Sequence, residues 1–180
     1  VASLWHRWSG WRKPLLICSL LLLGIESVAT APHYLTFFNA TVGGSRRGYR
    51  IINDSNFDWG QGLLELKQWM VNQRVDRISL CYFGSVDPGV YGILYVPVTD
   101  GLAEPYVAVS SYFLSGLSHR LPLAESRTNT IRLAFHRELQ AKQPVTIVAD
   151  TIYVFRREDF AAASTEFIAK NHGKRPEVSP

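Results

Sequence analysis

Cysteine is scarce in these 180 residues, with only Cys18 and Cys81 present. Cys18 lies inside an apolar N-terminal run and Cys81 inside a strand-like one, so no disulfide framework is available and the chain must fold without cross-links. Histidine is thin as well: His6, His33, His119, His136 and His172 are too dispersed to form a metal cluster, and no metal or other cofactor is expected. A G-x-S-x-G elbow, a Walker loop and a G-x-G-x-x-G turn are all missing, which removes the hydrolase and nucleotide-binding templates. Charged residues make up 19% and the net charge is only +4. The arginines at 46, 47, 50, 127, 132, 137, 156 and 157 are spread along the chain, so a solvated face is expected rather than a nucleic-acid surface. Internal repeats and low-complexity segments are also absent. What is present, 47% hydrophobic and 12% aromatic content, belongs to a globular chain with one core.

There is one long hydrophobic run. "WHRWSGWRKPLLICSLLLLGIESVATA" opens with tryptophans and basic residues and is uncharged from Pro14 to Ile25. Twelve such residues suit the core of a signal peptide, with Ala29-Thr30-Ala31 as its cleavage site. The competing reading is a spanning helix from about Trp11 to Ala31, roughly 30 Å long at 1.5 Å per residue, with Glu26 near its outer end. Trp5, Trp8 and Trp11 then form an interfacial belt, and the spanning reading is preferred. Arg7, Arg12 and Lys13 before the span are offset by Arg46, Arg47 and Arg50 after it, so charge only mildly favours a cytoplasmic N-terminus. Residues 1–31 are accordingly assigned to a transmembrane helix with a basic and aromatic flank, and 32–180 to an extracytoplasmic domain. The start at Val1 leads to the expectation of a longer parent chain.

Beyond Pro32, "HYLTFFN" is amphipathic and aromatic, as at a headgroup surface, and "GGSRRG" interrupts it. "YRIIND" reads as a buried strand, and residues 59–73 carry Leu63, Leu66 and Met70 on one helical stripe. "DRISLCYFG" reads as the next strand, so strand, helix and strand make a parallel βαβ unit. Residues 85–105 are dense in Gly, Pro and Asp and read as a long surface connection. "YVAVSSYFL" is a further strand, residues 129–140 a helix on Ile131, Phe135 and Leu139, "PVTIVADTIYVF" one long or two short strands, and "REDFAAASTEFIAKNH" a closing helix. The alternation predicts an α/β fold: a three-layer domain with a mostly parallel sheet and flanking helices, preceded by one transmembrane helix.

The stretch "DSNFDWGQG" concentrates the polar chemistry. Asp54, Asn56, Asp58, Gly60 and Glu65 match five offsets of a calcium-binding EF-hand loop, but Trp59 occupies the position that needs glycine, and a strand precedes the loop. Asp58 and Gln61 instead form a capping box at the start of the helix. Asp54 and Asn56 then fall at the carboxyl end of a parallel strand, where α/β sheets bind ligands, or simply tie up the turn. Asp87, in "FGSVDPG", falls on the same rim, where Asp54 and Asp87 would suit a cation or sugar hydroxyls, or else it makes only a turn.

"HYLTFFN", "GYRIINDSNFDWGQGLLELKQWM", "CYFGSVDPGVYGI" and "TIYVFRRE" together resemble the C-terminal extracytoplasmic region of bacterial GT-C type membrane glycosyltransferases. These are relatives of the protein mannosyltransferases that use polyprenyl-phosphate sugars. The resemblance covers residues 11 to 157 and is strongest over Asp54–Gln61 and Tyr82–Gly92; Gly62 departs from it, standing where relatives commonly carry an acidic residue. It implies that the apolar run is the last membrane helix of a longer enzyme whose catalytic base lies in an earlier loop, so no catalytic residue is assigned here. Its implied partners are the bilayer, the remaining membrane portion, a polyprenyl-phosphate sugar and an acceptor. The expected contacts are Asp54, Asn56, Asp58, Gln61, Tyr82, Asp87 and Tyr91. Two alternatives stand beside this reading. One is a secreted or singly anchored carbohydrate-binding α/β module with a signal peptide, and the other a metal-dependent enzyme acting through Asp54, Asp58 and Asp87.

Overall fold

The structure is a computed structural model that describes residues 10–32, 34, 37–38, 43–50, 60–98, 102–122 and 128–171, with backbone alone for 119–122 and 128–131. Helix α1 covers Arg12–Thr30, close to the span expected from sequence. Among the described residues it is the one helix long and apolar enough to cross a membrane, and none of it is buried. Leu20, Leu21, Leu22, Leu23, Ile25 and Val28 are all more than half exposed. Its hydroxyls are satisfied within the helix: Ser19 Oγ donates to Leu15 O (2.9 Å), Ser27 Oγ to Leu23 O (2.8 Å) and Thr30 Oγ1 to Glu26 O (2.7 Å). Such back-bonding removes the need for water around these side chains.

The segment read from sequence as a break contains a short helix, α2 (Ser45–Gly48), and Tyr49 and Arg50 form the turn after it. The rest of the expected first strand, residues 51–54, lies outside the described residues. Helix α3 (Leu63–Gln73) buries Leu63, Leu66 and Met70, the stripe that the periodicity predicts. It stops at Arg74, which takes the left-handed conformation (φ 56°) so that the Val75 amide can reach Met70 O at 2.8 Å. Strand β1 (Arg77–Cys81) follows directly.

After β1 the expected long loop is only partly a loop. It holds a 3₁₀ turn (Pro88–Tyr91) and strand β2 (Leu94–Pro97), and β3 (Tyr106–Ser110) comes next. A four-residue helix, α4 (Ser111–Leu114), continues from β3. The helix predicted over 129–140 is divided: β4 (Ser118–Pro122) and β5 (Thr128–Arg132) make an antiparallel pair, and only His136–Gln140 is helical, as α5. β6 (Thr146–Val148) and β7 (Ile152–Arg156) form a hairpin, and α6 (Arg157–Lys170) closes the described domain.

The main sheet has five strands in the order β2-β1-β3-β7-β6. It is mixed: β1 pairs in parallel with β2 and β3, whereas β7 runs antiparallel to β3 and β6. This corrects the mostly parallel sheet expected from sequence. The cause is local, because Ala149 and Asp150 both take positive φ (49° and 58°) and reverse the chain within the "VADT" stretch. A hairpin forms there, and hairpin strands can only be antiparallel.

Successive strand residues alternate between two apolar clusters. Ile78, Leu80, Ala108, Ile152 and Val154 pack with Leu63, Leu66 and Met70 of α3. Cys81, Val107, Val109, Tyr153 and Phe155 pack with Phe113, Leu139 and Phe160 from α4, α5 and α6. Helices thus flank the sheet, and each cluster needs them to exclude water. Burial also raises the Cys81 thiol far above its usual range, leaving it an inert packing group. Leu66→Ala, which empties a fully buried position, is expected to lower stability by about 2–5 kcal/mol in urea unfolding of the full chain in uncharged micelles. Val71→Ala, on the exposed side of α3, is expected to change it by less than about 0.5 kcal/mol.

Candidate functional site

Tyr82 follows β1 at the carboxyl end of the parallel strands, where Cys81 is in register with Val109 of β3. Two glycines make room for it. A Cβ on Gly60 would overlap the Tyr82 hydroxyl oxygen, although the next ring atom, Cζ, stays 3.6 Å away. A Cβ on Gly84 would overlap both the hydroxyl oxygen and Cζ, with Cε1 at 2.9 Å. The phenol is therefore threaded between the turn before α3 and the turn after β1. Gly60 also holds φ at +105°, which side chains rarely adopt, and its carbonyl accepts from Leu63 N at 3.1 Å to begin the helix.

Gln61 is exposed beside this clamp, so the structure brings Gln61 and Tyr82 together. The expected capping box is corrected: α3 begins at Leu63 with Gly62 as its N-cap, too late for Gln61 to occupy the third helical position after Asp58. Gly62 is buried because the β6–β7 turn crosses it, with Ile152 Cδ1, Thr151 Oγ1 and Ala149 Cβ at 3.0, 3.1 and 3.3 Å from a Cβ built there. A side chain at 62 would require Ile152, Thr151 and Ala149 to give way by a few tenths of an ångström. Asp54, Asn56 and Asp58, and with them the Asp54–Asp87 pairing, lie outside the described residues.

Asp87 belongs to a second group. Its Oδ1 accepts from Gly89 N at 2.9 Å as the cap of the 3₁₀ turn, and from the Tyr95 hydroxyl at 3.4 Å. Tyr95 pairs with Ile78, in the first half of β1, so this contact reaches down over edge strand β2 rather than across to Tyr82. Tyr91 is exposed on the same 3₁₀ turn. Lys67 Nζ of α3 donates to Gly92 O at 2.7 Å and ties the turn down. Burial, then the charge and hydrogen bond of Asp87, raise the Tyr95 phenol above its ordinary value.

Gly84, Thr151 and Tyr95 were not singled out by sequence reasoning. Thr151 matters by its close approach to Gly62, far away in the chain, and Gly84 by the room it leaves for the Tyr82 ring two residues before it, and neither is marked by a short motif. Tyr95 sits in a stretch whose Gly and Pro content hides a strand.

Among the described residues, the Gln61 amide, the Tyr91 and Tyr95 phenols and the Asp87 carboxylate are exposed and able to hydrogen-bond, whereas the Tyr82 hydroxyl is buried in its clamp. His136 opens α5, with Nδ1 3.0 Å from Leu133 O and its ring against Gly116. Among the described residues, no three His, Cys, Asp or Glu side chains converge to hold a metal ion.

Gly60→Ala and Gly84→Ala should each destabilise by about 1–3 kcal/mol or more, read as melting temperature. Tyr82→Phe should recover part of the loss in Gly60→Ala, where only the hydroxyl collides, and none in Gly84→Ala, where the ring collides too. For Tyr95, a folded-state pKa above the unfolded one means that its stabilisation is complete below pH about 10 and is lost as pH rises past that value. Tyr95→Phe is accordingly expected to flatten the decline of melting temperature in alkaline buffer. Compared with known proteins, the chain matches no family model, no curated protein and no solved structure.

Proposed function

We propose that this chain is the last membrane helix and outer domain of a glycosyltransferase that uses a lipid-linked sugar donor. In this reading the domain stands on the extracytoplasmic side, over a catalytic membrane region carried by the rest of a longer parent protein. There it positions the donor or the acceptor. The observation that carries the proposal is an apolar helix with no buried residue, joined to a domain that exposes the hydrogen-bonding side chains of Gln61, Asp87 and Tyr91. Such a surface suits holding hydroxyl-rich groups, with Gln61 at the carboxyl end of the parallel strands, its turn held by the buried Tyr82 hydroxyl, and Asp87 and Tyr91 on the neighbouring turn. Helices packed against both apolar clusters support a three-layer arrangement of the domain. The resemblance of "DSNFDWGQG" and "CYFGSVDPGVYGI" to GT-C enzymes supplies the reaction class.

A second reading, a singly anchored carbohydrate-binding module, is favoured by the exposure of Tyr91 and Tyr95 beside the Asp87 carboxylate. One assay separates the two. Membranes carrying the parent enzyme are expected to transfer sugar from a polyprenyl-phosphate donor and to lose most of that transfer in Gln61→Ala with Asp87→Ala, while the purified chain alone transfers none. Undiminished transfer after deletion of residues 60–170 would overturn the positioning role. Sugar binding by the purified chain, lost with Tyr91→Ala, would favour the module.

A further inference from the structure

A groove of ≈ 390 Å³ opens between α2 and the segment that joins α5 to β6. Four cations line it, Arg46, Arg47, Arg50 and Lys142, and its lining contains no carboxylate. The carboxylates that reach these cations stand outside: Asp150 Oδ1 is 3.2 Å from Arg46 Nε, and Glu166 pairs with Lys142. Among the described residues no carboxylate pairs with Arg47 or Arg50, so the groove keeps an excess of positive charge.

The frame under these cations is fixed. Tyr49 and Tyr153 meet edge to face with centroids 5.3 Å apart, both buried, and the Tyr153 hydroxyl donates to Arg46 O at 2.5 Å. The Arg50 guanidinium lies 5.8 Å from the Tyr49 ring centre, and its Nη2 donates to Gln140 O at 3.4 Å on the opposite wall. A held guanidinium loses less freedom when it binds, and its planar fork matches the oxygens of a phosphate.

We propose that this groove binds a phosphate group. A single carboxylate would leave charge uncompensated, whereas a phosphomonoester or pyrophosphate brings close to two negative charges and several acceptor oxygens. The volume is greater than one phosphate fills and lies in the range of small-molecule sites, leaving space for whatever the phosphate is attached to. Residues 31–44 join α1 to α2, and a linker of that length reaches at most ~50 Å when extended. If α1 spans a bilayer, the groove is therefore within reach of lipid headgroups as well as soluble phosphates. The proposal does not depend on the glycosyltransferase reading.

The test uses the full chain in uncharged detergent micelles, titrated calorimetrically with pyrophosphate and, separately, with short-chain phosphatidic acid. Binding of either is expected, weakened about tenfold or more by Arg47→Glu. Because Arg47 is exposed, the melting temperature should stay unchanged; if it falls, Arg47→Gln, which removes the charge and keeps most of the stem, carries the comparison. Binding of both ligands identifies a phosphate site open to soluble compounds, and binding of phosphatidic acid alone identifies a lipid headgroup as the source. Binding of neither, or equal affinity in the wild type and the charge-removed variant, overturns the proposal.

Discussion

The unburied apolar surface of α1 constrains everything else about this chain. Leu15, Ile17, Leu20, Leu21, Leu22, Leu23, Ile25 and Val28 are all more than 45% exposed, on every side of the helix. Removing that many large side chains from water is worth on the order of 10–20 kcal/mol, as much as or more than the whole stability of an ordinary domain. No described part of the protein covers them. Lipid is the cover proposed here, and it suits a helix whose hydroxyls already bond to its own carbonyls.

The domain that follows depends on a different rule, the two-residue period of β-strands. Alternation sends Ile78 and Leu80 to one cluster and Cys81 to the other, so a single sheet nucleates both halves of the core. The clamp on Tyr82 extends this order to the loops. It joins residues 60 and 84 through one phenol and thereby fixes where Gln61 emerges. The surface offered to a ligand is thus a consequence of packing rather than of a local motif.

This explains how much was legible in the sequence. Periodic elements with buried stripes were: α1, α3, β1 and α6 lie where hydropathy and spacing place them, because burial or membrane insertion dictates their residues. Strand β2 was not, since it is a short edge strand with exposed Leu94 and Tyr95 and ends at Pro97, and so lacks the buried alternation that marks an inner strand. The β6–β7 reversal uses Ala149 and Asp150 in place of the glycine or asparagine usual at positive φ, which hid the hairpin and with it the mixed character of the sheet. At the candidate site, Gln61 and Tyr82 were expected as contacts but not as neighbours, because their nearness depends on the approach of Tyr82 to Gly60. The Asp87–Tyr95 contact was not legible either, because it depends on β2.

Lipid coverage of α1 is tested most directly by alkaline carbonate extraction of cells expressing the full chain. The unaltered protein is predicted to stay in the membrane pellet and to be released when Leu21 and Leu22 are both replaced by lysine, each such charge costing about 2.5–3.5 kcal/mol at a helix centre. Recovery of the unaltered chain in the soluble fraction would contradict a membrane-bound helix and, with it, the placement of the domain.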